Sequence, residues 1–123
     1  MNPNYARAYN SRGIAYDNKG DNDRAIADYN RAIQLNPDYF WAYNNRGFAY
    51  QKKGDLDRAI ADCSQAIRLN PNHFWAFNNR GFYYFQKKDY NRAIADYEAA
   101  LRIDPNNTTA KQNLENARRA RGR

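Results

Sequence analysis

The sequence predicts an all-α solenoid of seven helices, arranged as three helical hairpins followed by one capping helix. Three observations support this fold class. The dipeptide Arg-Gly recurs every 34 residues, at 12–13, 46–47 and 80–81, and the string Arg-Ala-Ile-Ala-Asp keeps the same interval. No stretch alternates between apolar and polar residues over the length of a strand, so no sheet is expected. The chain's prolines follow the same interval, at Pro3, Pro37, Pro71 and Pro105.

The repeat divides the chain into consecutive segments. Counted from three residues after each Asx-Pro-Asx motif, the units are 6–39, 40–73 and 74–107. Residues 108–121 continue the same phase with one apolar stripe and polar residues elsewhere, which is the pattern of a solvating cap. Residues 1–5 match the end of a preceding repeat, as a truncated linker. This start indicates a piece of a longer array or an engineered chain.

Each unit is predicted to contain two helices, which we call helix A and helix B. In the second unit helix A runs over 40–53 and helix B over 56–69. Asp55 follows Gly54 at the position of a helix N-cap, and Asp21 follows Gly20 in the same way. In the third unit Lys88 stands where the other two units have glycine, so the signal for that turn is weaker.

These residues resemble the tetratricopeptide repeat (TPR) family over residues 2–121. The resemblance implies a right-handed superhelical array whose helices A line a concave groove for a peptide or protein ligand. It rests on small and aromatic residues at the family's consensus places in each unit: Gly13, Gly47 and Gly81; Tyr16, Tyr50 and Tyr84; Ala25, Ala59 and Ala93; Ala32, Ala66 and Ala100.

The glycines inside helix A need a packing reason. A glycine in a helix costs about 1 kcal/mol relative to alanine. We therefore expect helix B to approach helix A closely at this level, presenting an alanine in each unit: Ala25, Ala59 and Ala93.

Arginine replaces the leucine that the family usually has before the helix-A glycine. Each unit also carries an aspartate in helix B, whereas the capping segment has Leu114 at the arginine phase and no matching aspartate. Because the two features occur together, we predict a partly buried ion pair within each unit. Their periodic repetition favours a structural role. The pairs are Arg12 with Asp28, Arg46 with Asp62, and Arg80 with Asp96.

The helix-A face opposite helix B is predicted to bind the ligand. Its aromatic residues are unusual on a nominally exposed face and indicate an interaction surface, unless the rings pack between neighbouring repeats. Asn45 and Asn79 occupy the phase of the ladder in the TPR arrays of O-linked GlcNAc transferase and kinesin light chain, where an amide can bind a peptide backbone. The other asparagines of this face, Asn10, Asn44 and Asn78, form a second row beside them. The alternative is that they bridge adjacent helices. The predicted groove residues are Asn10, Trp41, Asn44, Asn45, Phe48, Lys52, Trp75, Asn78, Asn79, Phe82 and Phe85.

The acidic carboxyl terminus of a heat-shock chaperone is disfavoured as the ligand. TPR domains that bind this tail use two lysines, an arginine and two asparagines as a carboxylate clamp. Only Asn45 fits among the matching positions, which are Asn10, Ile14, Asn45, Trp75 and Asn79.

The residue inventory indicates a binding module and not an enzyme. The chain has one histidine, His73, and one cysteine, Cys63, which offer neither metal-ligand spacing nor a nucleophile–base pair. Cys63 replaces the tyrosine of its sister repeats and is predicted to lie in the core. No phosphate-binding loop is present. We expect no catalytic residue, metal or cofactor.

Two alternatives to peptide binding remain, and the second rests on the net charge of +7. The uncapped N-terminal face and the exposed rings could pair copies of the chain. The arginine-rich tail could bind acidic partners, although nucleic acid ranks last. No apolar stretch is long enough for a membrane span, and the start lacks the features of a secretory signal, so we expect a cytoplasmic protein without a membrane partner. The tail residues are Arg118, Arg119, Arg121 and Arg123.

Overall fold

The computed structural model describes the backbone of residues 3–123 and the side chains of residues 5–123. This part of the chain contains α-helices and no strands, so the predicted all-α fold of seven helices is confirmed. None of the described helices combines the length and apolar character that crossing a bilayer requires. The helices are α1 (Pro3–Asn18), α2 (Asn22–Leu35), α3 (Phe40–Lys52), α4 (Leu56–Leu69), α5 (Phe74–Gln86), α6 (Tyr90–Ile103) and α7 (Thr108–Arg121).

The first helix begins earlier than the sequence predicts. Residues 3–5, expected to be a linker, form the first turn of α1, while residues 1 and 2 of that predicted segment lie outside the described residues. Proline is favoured at the first position of a helix because its φ is already helical and its missing N–H needs no partner there. The same motif at residues 36–39 directly follows α2, and there the chain turns instead.

Three similar turns join helix A to helix B within the units. Asp21, Asp55 and Asp89 each cap a helix by accepting a hydrogen bond from the backbone N–H three residues later, at 3.1, 3.1 and 3.3 Å. The residue before each cap has positive φ: 85° at Gly20, 83° at Gly54 and 64° at Lys88. The third turn therefore forms without glycine, and Lys88 bears the steric cost of the left-handed conformation.

The helices A form the inner wall of the array. Helices α1 and α3, α3 and α5, and α5 and α7 contact each other, whereas the helices B, α2, α4 and α6, do not contact one another. Helices A are therefore closer together than helices B, and the described part of the chain curves with the helices A on its concave side.

The glycine at the centre of helix A faces a different neighbour from the one expected. A Cβ added at Gly13 or Gly81 would come within 2.6 or 2.8 Å of the ring of Tyr29 or Tyr97. Only at Gly47 is the nearest atom from the predicted alanine position, the backbone oxygen of Ala59 at 3.0 Å. At Gly13 and Gly81 the three nearest atoms all belong to a tyrosine ring, so the tyrosine and not the expected alanine makes the closest approach.

The core between units pairs one large residue with one small residue. Tyr29 of α2 packs in a cluster with Ala49 of α3, and Tyr97 of α6 packs in a cluster with Ala117 of α7. Between α4 and α5 the order is reversed, because Cys63 packs with Tyr83. Cys63 is fully buried, as predicted for a core residue.

Candidate peptide-binding groove

An exposed apolar stripe runs along the concave side of the array. Apart from Tyr5, every large hydrophobic residue that is exposed among the described side chains belongs to this stripe. Because such side chains are scattered singly on ordinary surfaces, their grouping on one face marks a candidate binding surface. The apolar stripe consists of Ile14, Trp41, Phe48, Trp75 and Phe82, which are 39, 40, 43, 46 and 41% exposed.

The apolar stripe has two rows. Trp41 and Trp75 lie in the first turns of α3 and α5, and Phe48 and Phe82 follow them seven residues later. Seven residues correspond to two helical turns, a rise of about 10 Å. The strip between the rows, which we call the groove floor, is therefore about as wide as one polypeptide segment.

Asparagines on the groove floor bridge neighbouring helices A. The Nδ2 of Asn45 donates to Oδ1 of Asn10 at 3.0 Å, and Asn79 donates in the same way to Asn44 at 3.3 Å. Asn113 of the cap donates to Asn78 at 3.4 Å. These bonds join each helix A to the next one along the array.

The accepting asparagines lie beneath the groove and not in it. Asn10, Asn44 and Asn78 are only 6, 4 and 5% exposed. Their burial and the bridges to their Oδ1 atoms favour the alternative expectation for these three residues, that they join adjacent helices. Asn45 and Asn79 remain half-buried. Their side-chain bonds within the protein use Nδ2, and no described donor reaches their Oδ1 atoms, which are available as acceptors.

Lys52, at the edge of the groove, forms an ion pair with Asp17. Its Nζ lies 3.5 Å from Oδ1 of Asp17 and 4.3 Å from the ring centre of Phe48. Asp17 is 5% exposed, and burial raises the pKa of its carboxyl group, an effect that the nearby Lys52 opposes. Asp17 belongs to the predicted groove stripe of the first unit, but its pairing with Lys52 was not predicted.

The ring of His73 packs against Trp41 of the apolar stripe. Its ring lies 4.4 Å from that of Trp41 at an interplanar angle of 72°, and it is buried without a hydrogen-bond partner for Nε2 among the described residues. Burial lowers the pKa of His73 to about 4. Its place in the repeat is that of Tyr39, whose hydroxyl accepts a bond of 3.5 Å from Asn10.

Phe85 belongs largely to the core. Phe85 was predicted to lie in the groove, but it is half-buried, packs against the Tyr97 cluster and lies edge-on to Tyr90 at 5.5 Å. Phe85 occupies the last turn of α5, and its cluster includes residues of the capping helix α7. It can contribute one edge to a ligand site, but not an anchor comparable with Trp75.

The arginine that precedes the helix-A glycine forms a bidentate pair with a helix-B aspartate of the same unit. The Nε and Nη2 atoms bind both carboxylate oxygens at distances of 2.7 to 2.9 Å for Arg12–Asp28, Arg46–Asp62 and Arg80–Asp96. Arg46 and Arg80 use the remaining nitrogen, Nη1, to reach the previous helix B, where they bind Asn30 and Ser64 at 2.9 and 3.0 Å. These two arginines therefore link three helices.

The arginines near the C-terminus are mostly paired. Arg118 lies 3.5 Å from Glu98, and Arg119 contacts Glu115 within α7. Arg121 donates to Asn91 at 3.3 Å. The tail therefore presents less free positive charge than its sequence indicates.

The described residues contain no group of three or more His, Cys, Asp or Glu side chains suited to a metal ion. The thiol of Cys63 is fully buried, and burial raises its pKa. A buried, protonated thiol is inert as a nucleophile.

Known proteins resemble the chain over its whole length. A family model described as a tetratricopeptide repeat matches residues 40–73 and 74–107, and a TPR repeat model matches 18–54. The first TPR domain of the human RPAP3 protein is 29% identical with a TM-score of 0.95, covering 98% of this chain and 95% of that one. The second TPR domain of human RPAP3, in complex with the HSP70 peptide SGPTIEEVD, is 30% identical with a TM-score of 0.89, covering 95% and 98%.

A third similar structure is the first TPR of Spaghetti (RPAP3) bound to the HSP90 peptide SRMEEVD. It is 28% identical with a TM-score of 0.96, and it covers 100% of this chain and 98% of that one. No curated protein matches the chain significantly. The family matches include all of residues 40–107, which is more than half of the chain. The chain belongs to the tetratricopeptide repeat family.

Proposed function

We propose that this protein is an interaction scaffold whose groove binds an apolar, weakly charged segment of another polypeptide, extended or helical. Trp41 and Trp75 anchor apolar side chains of the ligand along one row, and Phe48 and Phe82 line the other. Between the rows, Asn45 and Asn79 accept hydrogen bonds from the ligand. The observation that carries the proposal is the apolar stripe, because it gathers the exposed large hydrophobics on the concave face.

The electrostatics of the groove support a ligand with little charge. Lys52 is paired with Asp17 and shielded by Phe48. Asn45 and Asn79 each use one of their two Nδ2 N–H groups in a bridge, and no described donor reaches their Oδ1 atoms. Such an amide can accept from a backbone N–H group of the ligand and donate to a backbone carbonyl.

Two of the similar structures are TPR domains bound to chaperone peptides that end in EEVD. Such a tail is therefore the first competitor to test. That this chain disfavours it remains a prediction. Its support is that the clamp positions here hold the buried Asn10, the apolar Ile14 and Trp75, and two asparagines that donate to other asparagines.

The test is a screen of immobilised peptides that compares apolar segments with SRMEEVD and SGPTIEEVD. Hits are then titrated in solution by tryptophan fluorescence, because Trp41 and Trp75 are the only tryptophans and both lie on the apolar stripe. We expect apolar peptides to bind with a blue shift of the emission. The double variant Trp41→Ala with Trp75→Ala has no tryptophan, so its binding is measured by isothermal titration calorimetry. It should weaken binding by about thirtyfold, which corresponds to a typical hot spot of about 2 kcal/mol.

The matched control is Tyr5→Ala, which removes an exposed aromatic side chain outside the groove and should leave groove binding unchanged. Binding that survives the double tryptophan variant would overturn the proposal. Tight binding of either EEVD peptide, with no apolar peptide bound, would retain a scaffold function but refute the ligand class proposed here.

A further inference from the structure

The groove floor carries one half-buried asparagine on each of α3, α5 and α7. These residues, Asn45, Asn79 and Asn113, stand 34 residues apart, and each donates from Nδ2 to a buried asparagine of the preceding helix A. No described donor reaches their Oδ1 atoms. The floor therefore has three equivalent rungs, each with a free acceptor and one remaining N–H group.

The aromatic rings of the groove repeat with the same interval as the rungs. Trp41 and Trp75 are 34 residues apart in one row, and Phe48 and Phe82 are 34 residues apart in the other. Neighbouring helices A contact each other, and packed helices lie about 8–10 Å apart. A chain that crosses α3 and α5 therefore meets the same contacts, one ring of each row and one rung, about every 8–10 Å.

The polyproline II conformation has a repeat that matches this interval. It rises about 3.1 Å per residue with three residues per turn, so residues i and i+3 face the same side about 9 Å apart. In a β-strand, residues that face the same side are about 7 or about 13 Å apart. A strand therefore cannot present the same face to two successive rungs.

An α-helix does not suit the floor. Its backbone N–H groups are bonded within the helix, so they cannot donate to the rungs, and with side chains it is about 10–12 Å across, which is the whole distance between the two rows. A polyproline II segment is narrower and has no internal hydrogen bonds, so its N–H and C=O groups are free to pair with the floor.

The charges on the central part of this face favour an uncharged ligand. Lys52 is the one charged residue among the groove residues of α3 and α5, and it is paired with Asp17. The remaining groove residues of these two helices are aromatic rings and amides. Proline carries no charge, and grooves lined by aromatic rings are a recurrent binding surface for proline-rich segments.

We propose that the groove selects a proline-rich segment in the polyproline II conformation, with a residue other than proline at every third position. The N–H groups of these residues donate to Asn45, Asn79 and Asn113, and the prolines between them lie against the two rows of rings. Proline has no N–H group, so an unbroken run of prolines leaves the rungs unpaired. The inference rests on the proposed function, since it assigns a ligand class to the same groove.

The probes are three synthetic peptides with blocked ends, each made of nine prolines and three leucines. The leucines are two, three or four positions apart, so the peptides differ only in the spacing of their N–H groups. Circular dichroism verifies that all three adopt the polyproline II conformation. Each peptide is titrated into the ¹⁵N-labelled protein of 123 residues, and the side-chain amide signals of Asn45, Asn79 and Asn113 locate the binding.

We expect the peptide with leucines three positions apart to bind most tightly, by about 25-fold over the other two. Two more of its N–H groups reach a rung, and one hydrogen bond contributes about fivefold in affinity. The same peptide made with N-methyl-leucine lacks these N–H groups and should lose this advantage. Trp41→Ala with Trp75→Ala should weaken the binding of every peptide, whereas the matched control Tyr5→Ala should not.

Two results would overturn the inference and leave the scaffold function in place. The first is equal affinity for the three leucine spacings, since the rungs would then not select the ligand. The second is no binding of any proline-rich peptide at millimolar concentration, while another apolar peptide binds in a way that depends on Trp41 and Trp75. If binding of all peptides survives the loss of both tryptophans, or if no peptide binds, the proposed function fails as well.

Discussion

The reversed packing of Cys63 and Tyr83 allows a quantitative test of how the units interlock. At the first and third interfaces a tyrosine of helix B faces an alanine of the next helix A, and at the middle interface the sizes are exchanged. If both arrangements fill the same space, Cys63→Tyr together with Tyr83→Ala should recreate the packing of the other two interfaces. Each change alone should be costly.

The structure sets the expected magnitudes. Tyr83 is 1% exposed, so Tyr83→Ala leaves a large cavity and should lower the free energy of unfolding by about 3–5 kcal/mol. Cys63→Tyr alone forces a second ring beside Tyr83 and should cost about 1–3 kcal/mol or more. The hydroxyl of Tyr83 is buried without a partner among the described residues, and removing it in the double variant recovers part of its desolvation cost.

Urea unfolding of the four proteins at one temperature gives the coupling energy of this double-mutant cycle. We expect the double variant to be more stable than the Tyr83→Ala variant, with a favourable coupling of at least about 2 kcal/mol. As a control, Tyr29→Cys combined with Ala49→Tyr makes the opposite exchange at the first interface. Additive losses in both cycles would refute the reasoning, because the residues would then not share one space.

Three further predictions concern single sites. His73→Tyr should raise the free energy of unfolding at acidic pH. Burial lowers the pKa of His73 from 6.5 to about 4 in the folded protein, so between these pH values the unfolded chain binds a proton that the folded protein does not. The free energy of unfolding of the wild type should therefore fall by up to about 3 kcal/mol as the pH is lowered from 6.5 to 4. Urea midpoints measured across this range should show a shallower slope for the variant. Lys88→Gly should raise the free energy of unfolding by about 0.5–1 kcal/mol, because glycine adopts the positive φ of this position without steric cost. Gly54→Lys should lower it by a similar amount in the same assay. Equal stability of both variants and the wild type would contradict this prediction. Arg80→Leu should cost about 3–5 kcal/mol because it leaves Asp96 buried and unpaired, whereas adding Asp96→Leu should recover most of the loss in thermal melts.

The helices could be predicted from the sequence because their signals are local. Asp55 caps α4 as expected, and both α4 and α7 have the bounds that the pattern indicates. The exception at Pro3 has the same origin. A proline is compatible with a turn or with the first turn of a helix, so its local signal alone does not distinguish the two.

The groove was harder to predict because its details depend on distances between units. Adjacent asparagines such as Asn44 and Asn45 look equivalent in sequence, yet one is buried and accepts while the other donates across the unit boundary. Asp17 and Lys52 belong to different units and are 35 residues apart, as Gln51 and Gln86 are, but the charged pair occurs at the first boundary and a pair of glutamines at the second. The position of a residue on the face of its own helix does not show which residue of the neighbouring helix its side chain contacts.

The location of the charges also changes what the composition implies. A net charge of +7 favours acidic partners when charge is considered alone. In the structure, Lys53 and Lys87 pair with Asp23 and Asp57 of the preceding unit, so these cations join units at the turns. Lys52, beside the groove, is paired as well. This pairing is consistent with the proposal that the apolar stripe, together with Asn45 and Asn79, selects the ligand by buried apolar area more than by charge.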